Sequence, residues 1–496
     1  MQLMVLLISV SIMAADPPYV RVEWPLDLAL ELSRSYKFSA VEVDETGSLI
    51  VAGDESLLAL FDDLGVPYSV DMDRYWRERA ERERMKAVPS SYFDPSTLTS
   101  WLQNLVASHP TITELIQIGT SVQGRAIWAV KVTDNPGLEE NEPELRLIGN
   151  IHGDEKSSLM VCTDALEWIV TQYGMAPEAT TLVEQTEMWF VPMVNPDGNN
   201  SSTRRNAHNY DLNRNFRGPE GHDPFSGGPS PFSEPETQAI RDLTEVMGNR
   251  FALGLSFHSG AACFNSVWNY SVTAPADLAN FFSSRTGGTP CGNFGGDCAI
   301  PSANGLAEAY GQGCSYPGFW HVVGADWYVT YGDTNDWAYD EWGTLDTTLE
   351  CTDSKTPSAA QIPTYTVQHR MGVINYLLKA RQVIEGIVTD AGTGNPLDAE
   401  IVVTQFPQVI YTDPLLGDYH RFVVPGTYSI TASAVGYLSE TVTDVVVVAD
   451  SPTVVDFQLL PDSITFESLR SYWPNSGPID INANNRIDVI ELVQFL

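Results

Sequence analysis

The period of hydrophobic and polar positions changes several times along the chain, and each change marks a candidate unit. Residues 3–13 form a short, mostly apolar run followed by Ala14-Ala15-Asp16. That is the pattern of a signal-peptide core with a small-residue cleavage region, and it is too short to cross a bilayer. No Lys or Arg precedes Arg21, so the positive start of such leaders is missing. Over 19–72 the pattern predicts a strand at 19–23, a helix over 26–35, a hairpin turning near Gly47 and a helix from Glu55 that ends at Gly65. Together these make a small α+β unit. The segment RYWRERAERERMK at 74–86 follows, basic and helical in propensity. It reads either as a protease-sensitive linker or as a solvated surface helix.

Between 92 and 380 helical periods alternate with short hydrophobic runs. Helices are predicted over 98–107, 158–172 and 234–247, and strands over 127–132, 145–151, 188–194 and 251–257. Such alternation implies an α/β domain, a mixed or mostly parallel sheet flanked by helices, which binds ligands beyond the carboxyl ends of its strands. From 383 to 460 the pattern shifts to β-branched runs at 383–389, 401–404, 428–432 and 441–448. They are punctuated by Gly394-Asn395-Pro396, Pro425-Gly426 and Gly436, as in a small antiparallel β-sandwich. The expected organisation is a signal peptide at 1–15, an α+β domain at 16–73, a basic linker at 74–91, an α/β domain at 92–380, a sandwich at 383–460 and a C-terminal segment at 461–496.

Composition narrows the partners. The chain has 496 residues, more than one core usually organises, and its 43% hydrophobic and 18% charged residues are those of folded domains. Lys and Arg number 27 against 64 Asp and Glu, a formal charge of −37. That balance repels nucleic acid and anionic membrane surfaces and suits a soluble, secreted or periplasmic protein. No later stretch reads as a membrane span. Six cysteines are too few for a disulfide scaffold of this length. Cys291 and Cys298 flank a Gly-rich loop that suggests a local bridge, and Cys162 lies in an apolar helical pattern that reads as a buried thiol. No C-x-x-C pair offers a cysteine metal site.

The candidate chemistry begins at His152-Gly153-Asp154-Glu155, directly after the strand predicted at 145–151. Two ligands three residues apart can reach one ion where the chain turns, and a catalytic zinc needs a third from elsewhere. His258, in Ser256-Phe257-His258-Ser259, ends a second predicted strand 103 residues after Glu155 (258 − 155). Between them lie Asn195-Pro196-Asp197-Gly198, which reads as a turn, and a run from Arg204 to Phe216 dense in Arg and Asn. Guanidinium groups in such a cluster can recognise a carboxylate bidentately; capping and surface charge are the plainer use.

The order H-x-x-E, N-P-D-G, D-L-N-R-N-F, S-F-H-S, then a Tyr and a Glu resembles the zinc carboxypeptidases of the carboxypeptidase A and D superfamily over about 92–380. In that family a Tyr precedes a Gly-containing turn and Asp-Trp, with the catalytic Glu 22 residues beyond the Tyr. Here Tyr328 precedes Gly332 and Asp336-Trp337, and Glu350 follows at 350 − 328 = 22. The α+β leader is similar to the family's propeptides. The segment containing Gly386-Ile387-Val388-Thr389-Asp390 and Val424-Pro425-Gly426-Thr427-Tyr428 resembles the transthyretin-like domain of the carboxypeptidase D branch.

The resemblance implies a mixed eight-stranded sheet and one zinc ion on His152, Glu155 and His258. It further implies hydrolysis of the C-terminal peptide bond, with Glu350 as the base that activates water and Arg204 holding the oxyanion. Arg204 stands ten residues before Arg214, as in the carboxypeptidase D branch; Arg205 is the alternative. Asn213 and Arg214 would clamp the substrate's α-carboxylate beneath Tyr328. Members that prefer Lys or Arg carry an Asp eleven residues after the third zinc ligand, where this chain has Asn269. Asp333 is the other carboxylate the resemblance places near that pocket, so basic, neutral and mixed preferences all stay open. The competing readings are a zinc amidohydrolase of the same fold acting on cell-wall peptides or acylated amino acids, and a non-catalytic binding member.

At the C-terminus Asp480, Asn482, Asn484, Asp488 and Glu491 place side-chain oxygens at positions 1, 3, 5, 9 and 12 of an EF-hand-like calcium loop, with Asn485 where Gly is usual. The segment resembles half of a dockerin repeat, which would imply a cell-surface or cohesin-like partner. A polar turn capping a final helix is the competing reading.

Overall fold

The computed structural model describes residues 19–23, 25, 28–29, 32, 40–43, 48–52, 55–71, 91–281, 305–406 and 408–462. The signal-like run, the basic segment at 74–86, Gly47, Cys291, Cys298 and the calcium-type residues Asp480, Asn482, Asn484, Asp488 and Glu491 lie outside those residues.

Two compact units divide near residue 89. In the first, β1 (Tyr19–Val22), β2 (Ala40–Val43), β3 (Leu49–Ala52) and β4 (Tyr68–Asp71) pair antiparallel in the order β2-β3-β1-β4. With α1 (Glu55–Leu64) they enclose a small core of Val20, Val22, Ala29, Leu32, Phe61 and Val66. Each of the larger side chains contributes roughly 1.5–3 kcal/mol by leaving water.

The second unit opens with α2 (Pro95–Ser108). Its start precedes the apolar period at Leu98 because Asp94 accepts from the N–H groups of Ser96 and Thr97, while Thr97 Oγ1 accepts from the Asp94 N–H, a capping box with Pro95 in the first turn. The main sheet then comprises β5 (Thr113–Thr120), β6 (Ala126–Val132), β7 (Glu144–Gly149), β8 (Glu187–Val191), β9 (Phe251–His258), β10 (Ala261–Ser266), β11 (Trp320–Val323) and β12 (Leu345–Thr352). Its order is β11-β10-β12-β9-β7-β8-β6-β5. The central strands β12, β9, β7 and β8 run parallel, while β6 and β10 turn antiparallel on either side. Every residue of β7, β9 and β12 is buried, as expected of parallel strands covered on both faces.

One face is covered by α3 (Lys156–Gln172), α4 (Pro177–Gln185), α6 (Leu306–Gly313) and α8 (Ile362–Leu378), the other by α5 (Pro235–Glu245) and α7 (Thr334–Trp342). A buried bidentate ion pair, Arg370 Nε and Nη2 to the Asp164 carboxylate at 2.7 and 2.6 Å, fixes α8 to α3. Another, Arg146 Nη2 to Asp346 Oδ2 at 2.6 Å, joins β7 to β12 through the sheet.

The C-terminal domain packs two sheets over a shared core that includes Ile384, Val388, Ile401, Tyr419, Ile430 and Phe457. One sheet holds β13 (Val383–Asp390), β16 (Asp418–Phe422), β19 (Thr453–Val454) and β20 (Phe457–Leu459); the other holds β14 (Ala399–Val403), β15 (Ile410–Tyr411), β17 (Gly426–Ala434) and β18 (Glu440–Val447). The pairing is mostly antiparallel, but β13 runs parallel to β19 and β20. Buried Arg421 of β16 reaches into the α/β domain, donating to the Gly343 carbonyl at 2.5 Å and pairing with Asp277 at 2.8 Å.

Candidate active site

Three adjacent parallel strands end at one place. His152 follows β7, His258 is the last residue of β9, and Glu350, in β12, stands directly opposite His258 in the strand register. Neighbouring strands lie about 4.8 Å apart, so the sheet alone brings these side chains within reach of one another.

The turn carrying His152 and Glu155 is shaped by its neighbours. Asn150 adopts φ 53° and its amide donates to the carbonyls of His152 at 2.9 Å and Glu155 at 3.2 Å, while Asn199 holds its other end at 2.8 Å. Gly153 lies so close to the segment after Asn195 that a Cβ there would stand 2.0 Å from the Gly198 carbonyl carbon. That segment is not the turn its sequence suggests. Asn195 accepts from the Gly198 N–H at 2.8 Å and Pro196 occupies the first helical position, so a short helix, Pro196–Ser201, forms instead.

His152 Nδ1 lies 2.9 Å from Glu155 Oε1, and His258 Nδ1 lies 3.1 Å from Glu155 Oε2. One ligand atom from each of the three buried residues falls within 4.8 Å of the others. Two imidazoles and a carboxylate form a catalytic zinc donor set. The environment of His152 fits that use: its Nε2–H donates to Asp211 Oδ1 at 3.0 Å, which leaves the Nδ1 lone pair for a metal. Burial alone would raise the Glu155 carboxyl, but the facing imidazoles outweigh it and hold it well below the usual range. Asp211 behaves likewise, burial being overcome by His152 and then Arg204.

Arg204 bridges this centre. Its Nε donates to Asp211 Oδ2 at 2.8 Å, and its Nη1 lies 3.1 Å from His152 Nδ1 and 3.3 Å from Glu155 Oε1. Arg205 instead donates to the Asn209 carbonyl on the surface. Glu350 is buried with Oε2 lacking a hydrogen-bond partner; burial, then the charge of Glu155, push its carboxyl well above the ordinary range.

The cleft in front of these groups is also lined by Asn213, Arg214, Tyr328, Asn269 and Asp333. Asn213 Oδ1 accepts from the Thr334 N–H at 3.1 Å, so the amide NH2 is what Asn213 can offer a ligand. Asn269 donates its amide to Asp333 Oδ1 at 3.0 Å, and Thr330 donates to Asp333 Oδ2 at 2.8 Å. Asp333 also caps α7 through the Asp336 N–H at 3.0 Å. Gly324 forms the cleft wall, where a Cβ would stand 1.7 Å from Asn269 Oδ1. All ten residues singled out in this region of the sequence thus share one cleft.

Asn150 and Lys355, whose Nζ lies 3.4 Å from Glu155 Oε1, carry no sequence signal of their own. Asp211 lies inside the Arg- and Asn-rich run and opens D-L-N-R-N-F, but its contact with His152 is made only in the fold.

Comparison with known proteins agrees with this geometry. The zinc carboxypeptidase family matches residues 98–372, and the carboxypeptidase regulatory-like domain matches residues 383–460. Carboxypeptidase SOL1 of Arabidopsis thaliana is 31% identical over 361 residues, covering 71% of this chain and 69% of that protein. The carboxypeptidase N catalytic chain of Mus musculus is 30% identical over 386 residues, covering 71% of this chain and 82% of that one. Carboxypeptidase D of Mus musculus is 31% identical over 391 residues, but the chain spans only 26% of its length.

Proposed function

The chain belongs to the zinc carboxypeptidase family, and on that premise we propose how its residues divide the work of a metallocarboxypeptidase that removes the C-terminal residue of peptides and proteins. The observation that carries the reading is the convergence of a His2Glu donor set, a buried carboxylate and an Arg–Asn pair on one cleft. His152, Glu155 and His258 would hold a zinc ion, with Asp211 fixing the His152 tautomer, and the ion would supply Lewis-acid polarisation and a lowered pKa for water.

Glu350 takes the proton from the attacking water and returns it to the leaving amine. The Arg204 guanidinium donates to the oxyanion as charge develops there. Arg214 and Asn213 hold the free α-carboxylate, with Tyr328 over it, and that clamp confines cleavage to the last bond. The side-chain pocket, bounded by Asn265, Asn269, Thr330 and Asp333, is polar. Such a lining favours a terminal residue that donates hydrogen bonds, Lys and Arg included, over an aliphatic one.

The leader would act as a removable pro-region and the run at 3–13 as an export signal; among the described residues, no helix is long and apolar enough to cross a membrane. The spacing of Asp480, Asn482, Asn484, Asp488 and Glu491 supports a calcium loop and, through it, a cohesin-like partner.

Zinc-loaded protein, intact and cleaved within 74–86, should release free C-terminal residues from blocked dipeptides but not from their C-terminal amides. No release from any blocked dipeptide at full zinc content, with turnover of cell-wall peptides, would replace this reading by the amidohydrolase.

A further inference from the structure

At the opposite, amino-terminal end of the parallel strands lies a second group of carboxylates. Glu144 opens β7, Glu187 opens β8, and Glu139 precedes β7 in the loop from β6; one oxygen from each falls within 4.8 Å of the others. We propose that these three residues bind a calcium-class divalent cation where the α/β domain meets the sandwich, a site independent of the zinc centre and of the proposed reaction.

The spacing is that of shared coordination, because two oxygens at 2.3–2.6 Å from one calcium ion stand at most about 5 Å apart. An all-oxygen set without His or Cys selects a hard cation over zinc. Proximity of acids alone would not make a site. Glu144 Oε1 is buried without any hydrogen-bond partner, in a residue only 6% exposed, although its other oxygen accepts from the Arg250 N–H.

The sandwich contributes the same signal from its side. Asp418, the first residue of β16, is 5% exposed and its Oδ1 also lacks a partner. Its carboxyl is pushed up to about 7 by burial, then by Asp413, Glu139 and Glu187, which places it within electrostatic reach of the trio. Glu139 is likewise pushed up to about 7, by burial and then Glu187. Lys131 faces the group, 2.5 Å from Glu187 Oε2 and 3.9 Å from Glu139 Oε2. Ionised together, the five carboxylates would carry a charge that one ammonium leaves largely uncompensated, and that repulsion helps push Glu139 and Asp418 up. A divalent ion would neutralise it and tie the two domains together.

Trp189 provides the probe, since its Nε1–H donates to Glu187 Oε1 at 2.7 Å. The zinc-loaded full chain carrying Glu491→Gln, which removes a ligand from the C-terminal loop, would be treated with EGTA and titrated with terbium. Emission excited through tryptophan and displaced by calcium is expected, with a calcium-dependent rise in Tm. Adding Glu144→Gln should abolish both and raise the calcium-free Tm by relieving repulsion. Should that variant not fold, Asp418→Asn should weaken calcium binding about tenfold by removing one charge. No calcium-displaceable emission with a calcium-insensitive Tm, or emission unchanged by both substitutions, would overturn the proposal.

Discussion

Replacing Asp211 by Asn tests whether the zinc centre depends on the carboxylate behind it. Asp211 Oδ1 accepts from His152 Nε2 at 3.0 Å, Oδ2 accepts from Arg204 Nε at 2.8 Å, and Oδ1 also accepts from the Asn213 N–H at 3.0 Å. Asn keeps the volume and an acceptor oxygen, so the turn at Leu212–Arg214 should survive. What disappears is the negative charge that orients the imidazole and anchors Arg204. An outer partner of a metal-ligating histidine is worth about 10–100-fold in metal affinity or activity, which is about 1.4–2.7 kcal/mol. Competition with a zinc chelator should therefore show affinity reduced by that factor. At saturating zinc a deficit in kcat should persist, because Arg204 has lost its anchor. Zinc affinity within twofold of wild type, with unchanged kcat, would refute the reasoning.

Asp333→Asn keeps a side chain that caps α7 equally well while removing the charge. It should lower kcat/KM for peptides ending in Lys or Arg about tenfold or more relative to neutral ends, read from paired substrates. Arg370→Met would take the bidentate guanidinium away from the buried Asp164 carboxylate, destabilising the chain by about 3–5 kcal/mol in denaturant unfolding. Asp418→Asn addresses pH. Its folded pKa of about 7 lies above the ordinary 3.8, so between those values the folded state binds more protons than the unfolded one and stability falls as pH rises. In calcium-free buffer, the stability of wild type relative to the Asn variant should therefore decline between about pH 4 and 7, a slope measurable by denaturation at several pH values.

Much of this architecture was legible because burial and period coincide. The runs at 127–132 and 251–257 are strands within a residue of their expected ends, each being mostly apolar and mostly buried. β12, LDTTLECT, was not anticipated: its buried Asp346 and threonines are tolerated only through Arg146, Asn335 and Tyr376, partners distant in sequence. β16, DYHRF, escaped for the same reason, its Arg421 being satisfied by Asp277. At the site, His152, Glu155 and His258 were visible as ligand types following strands. The role of Asp211 was not, although the residue opens D-L-N-R-N-F, because it comes from a contact across 59 residues. The carboxylate trio of Glu139, Glu144 and Glu187 was equally silent, each residue lying in an unremarkable local context until the sheet aligned the strand starts.

The most direct test of the account is the zinc content and turnover of Glu350→Gln on a blocked dipeptide with a free α-carboxylate. One zinc per chain should remain, because Glu350 is outside the His2Glu donor set, while kcat falls by about 10²–10⁴ with loss of the general base. A variant that keeps its zinc and turns over at the wild-type rate would contradict the central claim.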